Sequence, residues 1–162
     1  MPGLEDLYRE IILDHYRSPR NRGELPVPPA QKAEGFNPLC GDEVVLYLDV
    51  DPDTETVRDL KIAGQGCSIS QASTSMMSAA VKGRSVAEAR QLIRAFKALM
   101  SIHESKLEGD GDGADLQADL EGVRLGDLEA LQGVVKFPVR IKCATLAWNT
   151  LQQALDEVAE TV

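Results

Sequence analysis

The chain has 162 residues, of which 43% are hydrophobic and 4% aromatic, so one domain can bury a sizeable and mainly aliphatic core. Its formal charge of -9 disfavours nucleic acids and anionic membranes as partners, because both attract basic residues. The sequence contains no apolar run long enough to span a bilayer, and its first residues do not resemble a signal peptide, so we expect a cytoplasmic protein.

The N-terminal part of the chain is predicted to form one helix followed by an irregular connection. Apolar residues recur at helical spacing from Leu4 to Tyr16, and Ser18-Pro19 ends this pattern. Residues 17–29 are rich in proline and are too short to link two domains. The whole chain, residues 1–162, is therefore interpreted as one domain.

Alternation of side chains predicts a small antiparallel sheet in the next part of the chain. Residues 44–50 have the period of two that is typical of a strand with one buried face. A turn at 51–54 and a second strand around Leu60 and Ile62 complete a hairpin. A weaker pattern over 33–37 predicts a third strand before this hairpin.

Two helices are predicted after the sheet. The first begins directly after Cys67, which closes the second strand, and ends near Gly83. Its predicted apolar stripe consists of Ile69, Ala72, Met76 and Ala79. Ser85 and Glu88 form a capping box, in which each side chain bonds the backbone N–H of the other residue. This box starts a helix that we expect to end at about Met100.

The C-terminal part of the sequence combines an acidic insertion with two further helices. Residues 104–121 are rich in acidic residues and glycine, which predicts a flexible insertion within the domain. A short helix is expected over 125–131, and Pro138 suits the first turn of a last helix. The predicted fold is therefore α+β, with a small antiparallel three-stranded sheet packed against several helices.

The stretch from Asn37 to Asp42 places a thiol and a carboxylate close together. Gly41 lies between Cys40 and Asp42 and can adopt backbone angles that are closed to other residues. Both side chains can therefore face a common point at little steric cost. A thiolate and a carboxylate facing one point suit either a metal ion or a sulfur chemistry.

The other two cysteines lie where a thiolate is favoured. Cys67 precedes a helix start, whose unpaired amides and partial positive charge stabilise a thiolate. Cys143 falls in the opening turns of the last helix, close in sequence to Arg140 and Lys142. Together with Cys40 and its neighbouring carboxylate, these thiolates would supply the four ligands of a tetrahedral zinc site. Cysteines that act only as small buried apolar side chains are the alternative.

Three motifs around the cysteines resemble one known family. They read Asn-Pro-x-Cys-Gly-Asp at 37–42, Gly-x-Gly-Cys-Ser-Ile-Ser at 64–70 and Lys-Cys-Ala-x-Leu-Ala-Trp at 142–148. In this order they are similar to the NifU/IscU-type iron–sulfur scaffold family, and within it to the SufU branch. The resemblance runs from about Leu7 to Leu151, apart from the acidic insertion.

This resemblance implies a protein that binds one zinc ion per chain and accepts sulfur. Its zinc ligands would be Cys40, Asp42, Cys67 and Cys143. Its partners would be a SufS-type cysteine desulfurase and other iron–sulfur assembly proteins, and its activity would be that of a sulfurtransferase. In that mechanism a histidine of the desulfurase replaces Cys40 on zinc, and the released Cys40 thiolate takes the terminal sulfur of the desulfurase persulfide.

Two other functions are open at this point. The same thiolates could hold an iron–sulfur cluster during its assembly, or the site could be a purely structural zinc module. IscU-type scaffolds have a histidine in place of Lys142, and a Leu-Pro-Pro-Val-Lys chaperone motif where residues 136–140 read Lys-Phe-Pro-Val-Arg. These differences favour sulfur acceptance over cluster assembly. Asp42 argues against a structural module, because such sites are usually closed by cysteine and histidine.

Arg140 and Lys142 are the two cations expected beside the metal ligands. Arg140 is predicted either to pair with Asp42 or a thiolate, or to be a solvated cation at the start of the last helix. Lys142 directly precedes Cys143 and is the second candidate for an interaction with the ligands.

Overall fold

The computed structural model describes residues 3–27, 30–38, 41–108, 126–136 and 138–161. Its elements in chain order are α1 (Gly3–Arg17), β1 (Gln31–Asn37), β2 (Asp42–Asp51), β3 (Thr56–Gln65), α2 (Ser68–Val81), α3 (Val86–Glu108), a 3₁₀ segment (Gly126–Lys136) and α4 (Pro138–Thr161). The three-stranded antiparallel sheet packs against helices, which confirms the predicted α+β class. Within the described ranges, none of the helices is both long enough and apolar enough to cross a membrane.

The sheet has the strand order β1-β2-β3, and both pairs of strands are antiparallel. The inward side chains of β2 are at most 2% exposed and belong to Val44, Leu46 and Leu48. The predicted hairpin of β2 and β3 is confirmed, and so is the third strand, which begins at Gln31. The pairing of β1 with β2 ends at Asn37 and Asp42, so residues 38–41 connect these two strands.

Helix α2 lies at the centre of the fold, where it contacts α1, α4 and β3. Ala79, which the sequence placed on the apolar stripe, is exposed, whereas Ala72 and Met76 are buried. The buried side of the helix also includes small hydroxyl side chains, namely Ser70, Ser73, Thr74, Ser75 and Ser78. The predicted stripe was therefore only partly correct, because α2 is covered on several sides and buries polar as well as apolar residues.

The buried hydroxyl groups of α2 attach neighbouring helices to it. Ser75 Oγ lies 2.8 Å from Nδ1 of His15 on α1. Ser73 Oγ accepts a hydrogen bond from Nε1 of Trp148 at 3.3 Å and donates one to the carbonyl oxygen of Ala144, both on α4. Every buried side-chain nitrogen or oxygen of the described residues has a hydrogen-bond partner. The polar side of α2 is thus buried without leaving its hydroxyl groups unpaired.

Helix α3 starts as predicted but ends later. The capping box is confirmed, because the backbone N–H of Glu88 donates to Ser85 Oγ at 3.1 Å and that of Ser85 donates to Glu88 Oε1 at 3.3 Å. The helix continues past Met100 to Glu108, since no glycine or proline interrupts residues 101–108. The first part of the predicted acidic insertion is therefore helical, and the rest of it lies outside the described residues.

The segment before α4 differs from the prediction in type and length. The sequence predicts a short helix over 125–131 with its end near Gly133, whereas the structure has a 3₁₀ segment that continues to Lys136. Its side chains of lowest exposure include Leu128, Leu131 and Val134. A spacing of three matches the three residues per turn of a 3₁₀ helix, so this geometry directs all three towards the core.

Ser73→Ala should lower the free energy of unfolding by about 1–3 kcal/mol, because it leaves the indole N–H of buried Trp148 without its partner. Urea unfolding followed by tryptophan fluorescence measures the loss, and Trp148 is the only tryptophan of the chain. Thr150→Val is the matched control, since Thr150 is also buried but its hydroxyl bonds a carbonyl within α4. Equal losses in the two variants would contradict this role of Ser73.

Candidate metal centre

Three elements meet near one end of the sheet and bring together three residues that the sequence singled out. Asp42 is the first residue of β2, Cys67 immediately precedes α2, and Cys143 lies in the second turn of α4. One ligand atom from each of these residues lies within 4.8 Å of those of the other two. Cys40, the fourth predicted ligand, lies outside the described residues, so its place in this cluster stays a prediction.

The connection between β1 and β2 uses glycine where the sequence expected it. Gly41 has a φ of +68°, in the left-handed region that other residues rarely adopt. This conformation precedes Asp42 directly and belongs to the connection that reverses the chain between β1 and β2. The special backbone conformation predicted for Gly41 is therefore confirmed, whereas its effect on the direction of the Cys40 side chain stays a prediction.

The carboxylate of Asp42 is fully buried and is fixed by the start of α2. Its Oδ1 accepts a hydrogen bond from the backbone N–H of Cys67 at 2.9 Å. Hydrogen bonds from an amide to a charged carboxylate are among the stronger polar interactions in proteins. This bond holds the beginning of β2 against the beginning of α2 and places the carboxylate beside the two cysteines.

Cys67 is the N-cap residue of α2, which agrees with its predicted position at a helix start. Its backbone is extended, with φ of -69° and ψ of 167°, and its Sγ accepts from the backbone N–H of Ser70 at 3.5 Å. The unpaired amides and partial positive charge of the helix N-terminus therefore lie beside both this sulfur and the carboxylate of Asp42.

Cys143 is fully buried, whereas Arg140 and Lys142 are exposed. The charge of Cys67 and a hydrogen bond to its sulfur, together with weaker effects of Cys143, raise the pKa of the Arg140 guanidinium. Arg140 therefore interacts with the two cysteines rather than with solvent alone. The role expected for Lys142 beside the ligands stays a prediction.

Asn37 also contacts the cluster, although the sequence alone predicts no role for it. It is 7% exposed, and its Nδ2 lies 3.4 Å from Oδ2 of Asp42 and 3.8 Å from Sγ of Cys143. The motif that starts at Asn37 is visible in the sequence. Only the pairing of Asn37 with Asp42 across the two strands, however, reveals that its amide faces the predicted ligands.

The donor set of this cluster fits a zinc ion. Cysteine thiolates and carboxylates are common zinc ligands, and in a tetrahedral site two sulfur ligands lie about 3.8 Å apart. The three donor atoms are within 4.8 Å of one another, so they would have to approach by about 1 Å at most. A fourth ligand would complete the tetrahedron, and Cys40 precedes Asp42 by only two residues in the sequence.

Gly66→Ala should displace the carboxylate, because an added Cβ would lie 2.5 Å from Oδ1 of Asp42 and 3.1 Å from its Cα and Cβ atoms. Weakening the bond from the Cys67 amide should cost about 2 kcal/mol of unfolding free energy. Gly83→Ala is the control, since Gly83 has a φ of +85° but an added Cβ would meet no atom within 4 Å. It should cost about 1 kcal/mol.

Urea unfolding measures both losses, and amide hydrogen exchange locates them. Exchange at the Cys67 amide should accelerate in the Gly66 variant and stay unchanged in the Gly83 variant. Unchanged exchange in both variants would show that Gly66 is not required for this contact.

The sequence also matches one protein family and individual relatives. Residues 7–118 match the family model of the NifU-like N-terminal domain. The chain is 41% identical to the zinc-dependent sulfurtransferase SufU of Bacillus subtilis (strain 168), over 94% of this chain and 91% of that protein. It is 38% identical to the iron–sulfur cluster assembly scaffold protein IscU of Streptococcus pyogenes serotype M1, over 96% of this chain and 87% of that protein.

The fold is also similar to that of a solved structure. The crystal structure of a candidate iron–sulfur cluster assembly scaffold protein for the SUF system, from Fervidobacterium islandicum AW-1, has a TM-score of 0.68 to this structure. The two chains are 32% identical, and the similarity covers 94% of this chain and 99% of that one. With the matches in sequence, this structural similarity confirms the predicted resemblance: the chain belongs to the family of NifU-like N-terminal domains.

Proposed function

We propose that this protein is a zinc-dependent sulfur acceptor, which takes persulfide sulfur from a SufS-type cysteine desulfurase for iron–sulfur cluster assembly. The observation that carries the proposal is the cluster of Asp42, Cys67 and Cys143, with a further cysteine two residues before Asp42. The similarity to a relative named as a zinc-dependent sulfurtransferase supports this choice of metal and activity.

In this proposal the four ligand residues have two different tasks. Asp42, Cys67 and Cys143 hold one zinc ion per chain. Each of them lies in or directly beside a regular element, namely β2, α2 or α4, which suits ligands that stay on the metal throughout the reaction. Cys40 is both the fourth ligand and the residue that accepts sulfur. The short covalent path from Cys40 to Asp42 allows its thiol to reach the same point as the carboxylate.

The proposed transfer is a thiol–persulfide exchange at Cys40. Zinc, when bound, would keep the cysteine sulfurs deprotonated at neutral pH. The Cys40 thiolate attacks the terminal sulfur of the desulfurase persulfide and forms a new S–S bond. The S–S bond of the desulfurase breaks, and its electron pair leaves with the desulfurase cysteine as a thiolate. Cys40 then carries the persulfide with its proton, and no external oxidant or reductant is needed.

Arg140 and Lys142 are proposed to assist the metal ligands. The raised pKa of Arg140 indicates that its cation interacts with the sulfurs of Cys67 and Cys143. A guanidinium in this position would reduce the repulsion between the anionic ligands before metal binds. The exposed Lys142 would contribute from the preceding position in α4. We further place this reaction in the cytoplasm, with other iron–sulfur assembly proteins as the next recipients of sulfur.

A scaffold for iron–sulfur cluster assembly is the second candidate function. It is favoured by the similarity to the relative from Streptococcus pyogenes, which is named as such a scaffold. Three cysteine thiolates could equally bind iron in a nascent cluster. The lysine at 142, where IscU-type scaffolds have histidine, makes sulfur acceptance the first choice. A purely structural zinc module is disfavoured because one of the three clustered donors is a carboxylate.

Cys40→Ala should abolish stimulation of the desulfurase and reduce cysteine turnover to that of the desulfurase alone, because the acceptor thiol is missing. The measurement is the rate of alanine formation from cysteine with and without the added protein. Cys40→Ser is the matched variant: it preserves side-chain size but cannot form a persulfide, so it should behave in the same way. Full stimulation by either variant would exclude Cys40 as the acceptor.

Protein purified without added metal should contain about one zinc ion per chain, because the predicted ligands complete one tetrahedral site. Elemental analysis and an assay for acid-labile sulfide measure this directly. Iron together with acid-labile sulfide, in place of zinc, would contradict the first proposal and support the scaffold.

A further inference from the structure

Asn37 is placed to control the orientation of two of the proposed metal ligands. It is the last residue of β1 and pairs with Asp42, the first residue of β2. Residues directly opposite each other on antiparallel strands have Cβ atoms about 5 Å apart, close enough for their side chains to interact. The Nδ2 atom of Asn37 lies 3.4 Å from Oδ2 of Asp42 and 3.8 Å from Sγ of Cys143.

The chemistry of these neighbours fixes which end of the amide faces them. A carboxylate and a thiolate are both hydrogen-bond acceptors, so the carbonyl oxygen of the amide would be repelled by both. The amide nitrogen carries two N–H groups and can therefore donate one to each neighbour. The 7% exposure of Asn37 leaves water little access to compete for these donors.

We propose that Asn37 is a positioning residue, which holds the carboxylate of Asp42 and the sulfur of Cys143 in the orientation that binds the metal. This inference rests on the proposed function, because it concerns the same site. The backbone N–H of Cys67 donates to Oδ1 of Asp42, whereas Asn37 donates to Oδ2. The two donors together prevent rotation of the carboxylate, and each comes from a different element of the fold.

A neutral donor suits this position better than a cation. One ligand atom each of Asp42, Cys67 and Cys143 lies within 4.8 Å of the other two, and as anionic ligands these groups would attract a divalent metal. Arg140 already brings one positive charge to this cluster, and a second cation at position 37 would compete with the metal for the same ligands. An amide orients the ligands through hydrogen bonds and adds no net charge. Hydrogen-bond partners of metal ligands typically contribute about 10–100-fold in metal affinity.

The test compares zinc affinity and ligand geometry in three variants of the full chain. Asn37→Leu removes both donors while nearly preserving side-chain shape, and Asn37→Ser retains one hydroxyl donor. Thr150→Val is the matched control, because it removes a buried hydroxyl that bonds the carbonyl of Leu146 within α4, seven residues after Cys143 in the sequence. Competition with a chelator measures zinc affinity. The absorption spectrum of the cobalt(II)-loaded chain reports the geometry around the metal.

The expected result is a loss of about 10–100-fold in zinc affinity for Asn37→Leu, with a changed cobalt spectrum and a smaller loss for Asn37→Ser. Thr150→Val should keep the affinity and spectrum of the unmodified chain. Unchanged affinity and spectrum in Asn37→Leu would overturn the assignment, as would an equal loss in Thr150→Val. If Asn37→Leu does not fold, the same two readouts for Asn37→Ser decide, and no change would overturn it.

Measurements on the unmodified chain distinguish a failure of the role of Asn37 from a failure of the proposed function. If it binds zinc and Asn37→Leu binds zinc equally well, only the role of Asn37 fails. If the unmodified chain binds neither zinc nor cobalt, the proposed function fails, and the assignment of Asn37 fails with it.

Discussion

The hydrogen bond from the backbone N–H of Cys67 to the buried carboxylate of Asp42 is the constraint on which the rest of the site depends. A buried carboxylate is costly unless donors or positive charge compensate it. Here the compensation comes from the N-terminus of α2, which also carries Cys67 as its cap. The same helix start therefore stabilises one ligand candidate and supplies another. Gly66 keeps this contact possible, since a side chain there would overlap the carboxylate.

The position of α2 links the site to the core. Its first turn contributes to the candidate metal centre, and its later turns are buried among α1, α4 and β3. Ser73 bonds to Trp148 and Ala144, and the latter directly follows Cys143. These hydrogen bonds therefore hold α4 against α2 next to the candidate metal centre. Trp148 in turn stacks on Phe96 of α3, with ring centroids 4.8 Å apart, so a third helix supports the same arrangement.

Sequence patterns predicted the elements with one apolar face and one polar face, such as β2 and the capped start of α3. They were less reliable where burial involved polar groups or an unusual period, as in α2 and the 3₁₀ segment. The cluster of Asp42, Cys67 and Cys143 was accessible from the sequence because short motifs surround each cysteine. The contribution of Asn37 was not, because it depends on the register between β1 and β2, and residue types alone do not determine that register.

The central claim is that Cys40 accepts sulfur while Asp42, Cys67 and Cys143 retain the metal. Mass spectrometry of the zinc-loaded chain, after incubation with a SufS-type desulfurase and cysteine, tests it most directly. The peptide that contains Cys40 should gain the mass of one sulfur atom and lose it on treatment with a thiol reductant, whereas the peptides of Cys67 and Cys143 should be unchanged. Sulfur on Cys67 or Cys143, or none on the chain, would contradict the claim.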